Sequence, residues 1–382
     1  MITLLYIAKI LKKRDIRTFW ISSLLLGIVF LFPNPALSQR RSHEVFFEGT
    51  DYELHVYRIY GKIPGKTLLL IGGIQGDEPG GFLSVDHYAD ISLARGNLIV
   101  VPRANFHSII LRKRKINEDL NRKFADETKP NFETKIATIL KRLIKESDCL
   151  LNLHDGSGFF SEKWVDANRN PLRYGQSIIA DSETYRHPDS GETLVLGDMA
   201  RSVIAQINRH IDNPDLYFHF NNHQTRDKGS KHKEQRKSAT YYALYTCGVP
   251  AFGIETSKSL TLEIKVRHHN LAINAFMDNL GIVQETPGVN LETPKLEYLV
   301  VAVNDSLPVV IRNRQTLHLN PGDRIQISHI EANYERGLTA DLIDFGTISD
   351  VRKKFRINRS TRVVVRKDYY PCGEITLTLH KI

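Results

Sequence analysis

The run Leu68-Leu69-Leu70-Ile71-Gly72-Gly73-Ile74-Gln75-Gly76-Asp77-Glu78-Pro79-Gly80-Gly81 limits the fold more than any other part of the chain. The aliphatic residues Leu68 to Ile71 suit a strand buried on both faces, because a strand with one wet face alternates apolar and polar side chains. The paired glycines end that strand. Pro79 is placed to open a helix, since proline fits the first helical turn, where its missing N–H would find no partner anyway. Between them, Gln75 and Glu78 stand three residues apart, a spacing that lets both side chains face one point. Open α/β sheets keep their sites beyond the carboxyl ends of strands, and glutamate is an ordinary zinc ligand, so the turn presents two candidate metal ligands. The plainer alternative is a tight strand-to-helix turn with a solvated glutamate.

The strand pattern recurs. Residues 67–71, 97–101, 149–153 and 250–254 are short apolar runs, and helical periodicity over 132–146 and 199–210 falls between several of them. Strands alternating with helices predict an α/β fold with a mostly parallel, covered sheet. Upstream, the alternation Tyr52-Glu53-Leu54-His55-Val56-Tyr57 predicts one half-exposed strand within 44–60. Polar groups stand just past these strands: Gln75 and Glu78 after the first, His154 after the third, Glu255 after the fourth. They are expected to gather at one edge of one sheet. Taken singly, His154 reads as a hydrogen-bonded structural residue and Glu255 as a surface carboxylate.

Near residue 290 the pattern changes. Helical segments stop, and alternating runs at 298–303, 309–312, 324–330, 362–366 and 375–379 take over, separated by turn formers such as Asn320-Pro321-Gly322-Asp323. That pattern predicts a small all-β domain, a barrel or a sandwich. A chain of 382 residues exceeds what one core usually serves. The expected division is a leader at 1–38, an α/β domain at 39–290 and the β domain at 291–382.

The leader has the form of an export signal. Lys9, Lys12, Lys13, Arg14 and Arg17 precede an apolar run over 19–32, then Pro33, Pro35 and Ala36-Leu37-Ser38-Gln39, with small residues where a signal peptidase reads. Cleavage after Ser38 into the periplasm is expected. The run is shorter than the ~20 residues of a spanning helix; the alternative is an uncleaved inner-membrane anchor. No other stretch approaches spanning length, so no membrane embedding is expected after cleavage. The formal charge of +9 belongs in good part to this leader. The remainder is too modest to argue for nucleic acid and suits an anionic polymer such as the cell wall. Cys149, Cys247 and Cys372 are odd in number and far apart, so no disulfide framework is read; Cys149 and Cys247 lie near predicted buried strands as small core residues.

The turn Gly73-Ile74-Gln75-Gly76-Asp77-Glu78 resembles the G-x-H-G-x-E turn of zinc carboxypeptidases, with Gln75 where His is usual. One branch of that superfamily, the murein D,L-carboxypeptidases that trim wall tripeptides in helical bacteria, is similar in using Gln there. Asn152-Leu153-His154-Asp155-Gly156 resembles the family's third-ligand block, with Asp155 orienting neighbours. The segment Asp119-Leu120-Asn121-Arg122-Lys123-Phe124 matches the family pattern D-L-N-R-x-F in full. The resemblance implies that Asn121 and Arg122 grip the substrate's free carboxylate, a task suited to a guanidinium fork. It further implies that Arg114, with Arg112 as the alternative, polarises the scissile carbonyl. Lys113, Lys115 and Lys123 read as a solvated basic face. Glu255, in Gly253-Ile254-Glu255-Thr256, resembles the general base.

By this resemblance Gln75, Glu78 and His154 hold one zinc ion per chain, leaving a fourth position open. The implied activity is removal of meso-diaminopimelate from the peptidoglycan tripeptide, leaving a dipeptide and contributing to cell shape. The β domain, above all Ile330-Glu331-Ala332-Asn333-Tyr334-Glu335-Arg336-Gly337-Leu338, resembles the domain that accompanies this branch and is where cell-shape protein partners would bind. Two alternatives stand: a deacylase of the aspartoacylase or succinylglutamate desuccinylase type, and a metal-free murein-binding pseudo-enzyme. Several stretches carry no assigned chemistry. Residues 170–176 are expected along the cleft and 228–237 as a solvated loop. His219 and His223 would meet on a helix without a third ligand, and His268-His269 read as helix surface.

Overall fold

The computed structural model describes residues 41–125, 131–286 and 294–380. The expected leader and the boundary near 290 lie outside the described residues. The first segment holds two strands where one was expected, β1 (Arg41–Phe46) and β2 (Leu54–Tyr60), paired antiparallel. The turn between them closes with Thr50 N donating to Phe47 O at 3.1 Å, so the alternation read over 52–57 belongs to the second strand.

The main sheet continues with β3 (Ile63–Ile71), β4 (Ser92–Val101), β5 (Cys149–Gly156), β6 (Ser177–Ala180), β7 (His219–Asn222), β8 (Ala251–Ser257) and β9 (Val283–Thr286). Its order is β1-β2-β4-β3-β5-β8-β6-β7, with β9 beside β4. The four strands β4, β3, β5 and β8 run parallel; β2 and β6 join them antiparallel. The sheet is mixed with a parallel centre, as expected. The helices α1 (Pro79–Tyr88), α2 (Phe106–Ile110), α3 (Phe132–Lys145), α4 (Leu196–Asn208), α5 (Ala239–Cys247) and α6 (Leu262–Asn279) flank it.

The unbroken apolar run of β3 has a direct cause. Leu68 and Leu70 pack on one face with Val85 of α1, Val203 of α4 and Phe276 of α6. Leu69 and Ile71 pack on the other with Leu140 and Ile144 of α3 and Ala243 of α5. Each such side chain, fully buried, stabilises the fold by roughly 1.5–3 kcal/mol. From β3 the chain proceeds through α1 to β4 on one side, while β5 lies on the other, so a crevice opens at the carboxyl ends of β3 and β5.

The C-terminal part consists of β10 (Leu296–Val303), β11 (Val309–Arg312), β12 (Thr316–Leu319), β13 (Arg324–Ala332), β14 (Leu338–Leu342), β15 (Lys354–Arg356), β16 (Thr361–Lys367) and β17 (Tyr370–Leu379). They form two four-stranded sheets, β11-β10-β13-β15 and β12-β17-β16-β14, around a core that includes Leu299, Val301, Ile327, Val363 and Ile375.

Buried charges join this module to the main sheet. Arg103, just past β4, donates from Nη1 and Nη2 to the Asp86 carboxylate of α1 at 2.7 and 3.0 Å, and also to Asp368 of the module. Arg336 Nε donates to Asp86 Oδ1 at 2.7 Å. Gly337 cannot carry a side chain here: its φ is +71°, and a Cβ would run into Arg103 and Asp368. The described residues thus form one compact unit. All three cysteines are free; Cys149 and Cys372 are buried, whereas Cys247 is half-buried at the end of α5. Among the described residues no helix is long and apolar enough to cross a membrane.

Candidate active site

An open cavity of about 260 Å³ lies at the sheet edge where β3, β5 and β8 end, and all seven residues singled out by the sequence line it: Gln75, Glu78, Arg114, Asn121, Arg122, His154 and Glu255. The turn after β3 is forced into shape by Gly76, where a Cβ would strike the Ser108 carbonyl, and by the Gly76 N–H donating to Lys113 O at 3.1 Å. Glu78 occupies the cap position of α1 but its side chain makes no capping bond. Instead Oε2 sits 2.8 Å from His154 Nδ1 and accepts from the Asp155 N–H at 3.4 Å. Gln75 is 2% exposed; its Nε2 donates to both oxygens of Asp119 at 3.1 Å, which leaves the amide oxygen as its free polar end.

One amide oxygen, one carboxylate and one imidazole make a donor set that fits zinc, which accepts O and N ligands and in catalytic sites keeps three protein ligands. Supporting contacts of the expected kind are present, Asp119 on Gln75 and the Asp155 N–H on Glu78. Among the described residues no cluster of three or more His, Cys, Asp or Glu is arranged to hold a metal; here only two of the three donors are of those types.

His154 on β5 and Glu255 on β8 are register partners across two parallel strands. Burial pushes the Glu255 carboxyl up to about 8, reinforced by the charges of Glu78 and Asp155 and opposed by His154 and Arg114. Gly156 keeps the space in front of it open: a Cβ there would lie 2.5 Å from Tyr174 Cβ and 2.7 Å from Glu255 Oε2. Asp155 points away from the cavity's donors into a buried set. It accepts from Gly80 N at 2.9 Å, Thr256 Oγ1 at 2.8 Å and Lys265 Nζ at 3.2 Å, with His269 Nε2 at 3.3 Å. Burial works against that charge, yet His269 and Lys265 hold the Asp155 carboxyl down to about 2.

The D-L-N-R-x-F segment forms a short 3-10 turn, Leu120–Arg122, capped by Asp119 accepting from Asn121 N at 3.0 Å. Asn121 Oδ1 accepts from Ala239 N at 3.1 Å at the start of α5. Arg122 Nη1 donates to Asn121 O at 2.9 Å. Arg114 is half exposed at the rim, 3.4 Å from Glu78 Oε1 and 3.2 Å from Asp119 Oδ2. Arg112 is turned outward instead, its guanidinium 4.4 Å above the Tyr369 ring of the β module. Geometry thus separates the two arginines that spacing left open.

Several expectations are corrected. Lys123 is buried, with Nζ 2.7 Å from Glu118 Oε2, because the 3-10 turn carries its stem inward. His219 begins strand β7 and His223 follows its end, so their spacing does not bring them together on a helix. His268 and His269 face the sheet from α6 and are buried: His268 Nδ1 lies 2.9 Å from Gln176 Nε2, and His269 contacts Asp155. Residues 233–237 form a 3-10 turn whose Gln235 lines the cavity. Tyr174 and Lys258 also line it without having been assigned chemistry; Lys258 Nζ is 2.6 Å from Asp77 Oδ2 and 3.8 Å from Glu78 Oε1.

Three solved forms of the cell shape determinant protein Csd4 from Helicobacter pylori share this fold. The product-bound form has a TM-score of 0.56 at 21% identity, covering 86% of this chain and 100% of that one. The tripeptide-bound form also has a TM-score of 0.56 at 21% identity, covering 89% and 100%. The mDAP-bound form, described as a D,L-carboxypeptidase, has a TM-score of 0.53 at 21% identity, covering 83% and 97%. No curated protein matches the chain in sequence. The family model described as the catalytic part of carboxypeptidases controlling helical cell shape matches residues 55–299. That span takes in β2 to β9 with every residue of the cavity described above, and the chain belongs to this family of carboxypeptidases.

Proposed function

We propose that the protein is an exported, zinc-dependent D,L-carboxypeptidase that trims the peptidoglycan tripeptide to a dipeptide, releasing meso-diaminopimelate. The observation that carries this reading is the meeting of a three-donor set, a raised carboxyl and an Asn–Arg pair in one cavity. Zinc held by Gln75, Glu78 and His154 would supply Lewis acidity to the scissile carbonyl and bring the pKa of water near neutrality. Arg122 and Asn121 hold the free carboxylate of the last residue, which fixes the peptide's direction in the cavity. Arg114, at the rim, donates to the oxygen on which negative charge develops. Glu255 takes the proton from the attacking water and delivers it to the leaving amine, a role that needs a carboxyl able to work in both directions near neutral pH. Location in the periplasm accords with the leader and the wall substrate.

The test is a digest of muropeptides incubated with the purified protein and followed by mass spectrometry, together with metal analysis of protein prepared without chelators. Tripeptide should fall as dipeptide and free diamino acid rise in equal amount, with about one zinc per chain. Unchanged muropeptides alongside absent zinc would favour the metal-free binding protein. Turnover of small acylated amino acids alone would favour the deacylase.

A further inference from the structure

Residues 157–175, between β5 and β6, form a loop whose ends are pinned together. Tyr174 N donates to Ser157 O at 3.1 Å and Phe160 N to Gly175 O at 2.8 Å. Gly175 permits the approach, since a Cβ on it would run into Gly158 O. Asn170 is buried and ties the middle: its Nδ2 donates to Asp166 O at 2.8 Å and Ala167 O at 3.2 Å, and its Oδ1 accepts from Leu172 N at 2.9 Å. Compact loops of this kind pack their own side chains inward. Here Trp164, Val165 and Leu172 instead stand 63, 62 and 60% exposed, so a firmly tied loop holds large apolar groups out in water.

A basic stretch lies beside it. Tyr174, at the base of the loop, and Gln235 both line the active-site cavity, and the Tyr174 ring meets His232 edge-on at 6.3 Å. Residues 226–237, around His232, carry six lysines and arginines against Asp227 and Glu234. Arg236 donates to the Thr225 and Asp227 carbonyls and Lys237 to Glu234, whereas Lys228, Lys231 and Lys233 are exposed, as is Lys163 beside Trp164. Such charge suits any polyanion. The apolar tip narrows the choice: a tryptophan face can stack on a sugar, but the branched ends of Val165 and Leu172 gain only where hydrocarbon replaces water.

We propose that this face docks on an anionic lipid bilayer. Trp164, Val165 and Leu172 enter the boundary between headgroups and acyl chains, and Lys163, Lys228, Lys231 and Lys233 lie over acidic headgroups. The protein then lies on the membrane without spanning it, which needs no long apolar helix. Two weak signals, one apolar and one electrostatic, act together, so binding fades as salt rises. Both border the cavity, so docking holds its mouth close to the lipid surface.

The experiment uses the chain from residue 39 to 382, which omits the leader's apolar run, retains the whole compact unit and has Trp164 as its only tryptophan. It is mixed at low salt with vesicles of phosphatidylcholine, alone or with an equal amount of phosphatidylglycerol. Trp164 emission should shift to shorter wavelength, and the protein should sediment with the anionic vesicles roughly tenfold more than with the neutral ones. Trp164→Ser and, separately, the combined exchange Lys228→Glu, Lys231→Glu and Lys233→Glu should each cut that binding by about tenfold, with the circular dichroism spectrum unchanged. A Trp164→Ser protein that sediments as well as the wild type, or an emission spectrum that anionic vesicles leave unmoved, overturns the proposal. So does retention on purified peptidoglycan sacculi without binding to either vesicle, which assigns the face to the wall polymer instead.

Discussion

At the scale of single residues, the site divides into groups that local sequence announces and groups that it hides. Gln75, Glu78 and His154 each lie at or just past the carboxyl end of a buried strand, where any α/β sheet places its chemistry, so their convergence was legible from the chain alone. His269 and Lys265 come from α6, far along the chain, and only packing brings them to Asp155. Nothing in the pair His268-His269 distinguishes a buried face from a wet one. Two predictions belong here. On the proposed function, Glu255→Gln removes the proton acceptor and none of the proposed metal donors, so turnover should fall by about 10²- to 10⁴-fold while zinc content by metal analysis stays the same. Gly156→Ala drives a Cβ against Glu255 Oε2 and Tyr174. It should cut kcat sharply and lower stability by about 1–3 kcal/mol in urea titration, with the circular dichroism spectrum kept.

Elements were read well where their pattern was pure. The β3 run is apolar because its two faces meet two different cores, and the sequence shows that directly. Short edge pieces were not. Strand β15, Lys354-Phe355-Arg356, has one apolar residue, and the β12 sequence Thr316-Leu317-His318-Leu319 alternates too briefly to stand out from a loop. His219 and His223 show why spacing misleads: four residues apart fits a helical face, but pairing with β6 makes the segment a strand. Asp181 follows the end of β6 and is buried, with Thr225 Oγ1 donating to Oδ1. Burial pushes that carboxyl up to about 6. The folded state therefore favours the proton, so the contribution of Asp181 to stability is greatest below pH ~4 and declines as pH rises through 6. Relative to Asp181→Asn, the wild type should lose about 3 kcal/mol between pH 4 and pH 8, read from urea unfolding at a series of pH values.

For the whole molecule, the sequence foretold an α/β part and a β part but not how they are joined, because Asp86, Arg103, Arg336 and Asp368 are scattered and each looks like a surface charge in isolation. Removing one member of a buried charge cluster leaves the others uncompensated. Arg103→Ala, which strips Asp86 and Asp368 of a shared partner, should destabilise by about 3–5 kcal/mol. In the wild type both parts should melt together in a single calorimetric transition; two well-separated peaks would show that the junction does not couple them. Helix α1 gives this junction a reach beyond stability. Its cap residue Glu78 touches His154, and Asp86, near its other end, is clamped by Arg103 and Arg336. The helix is a strut about 15 Å long, pinned at one end by the C-terminal sheets and bearing at the other the carboxylate proposed to hold zinc. Loosening the far pin should let the near end wander, so, on the proposed zinc reading, a protein altered only at Arg103 would also bind the metal more weakly.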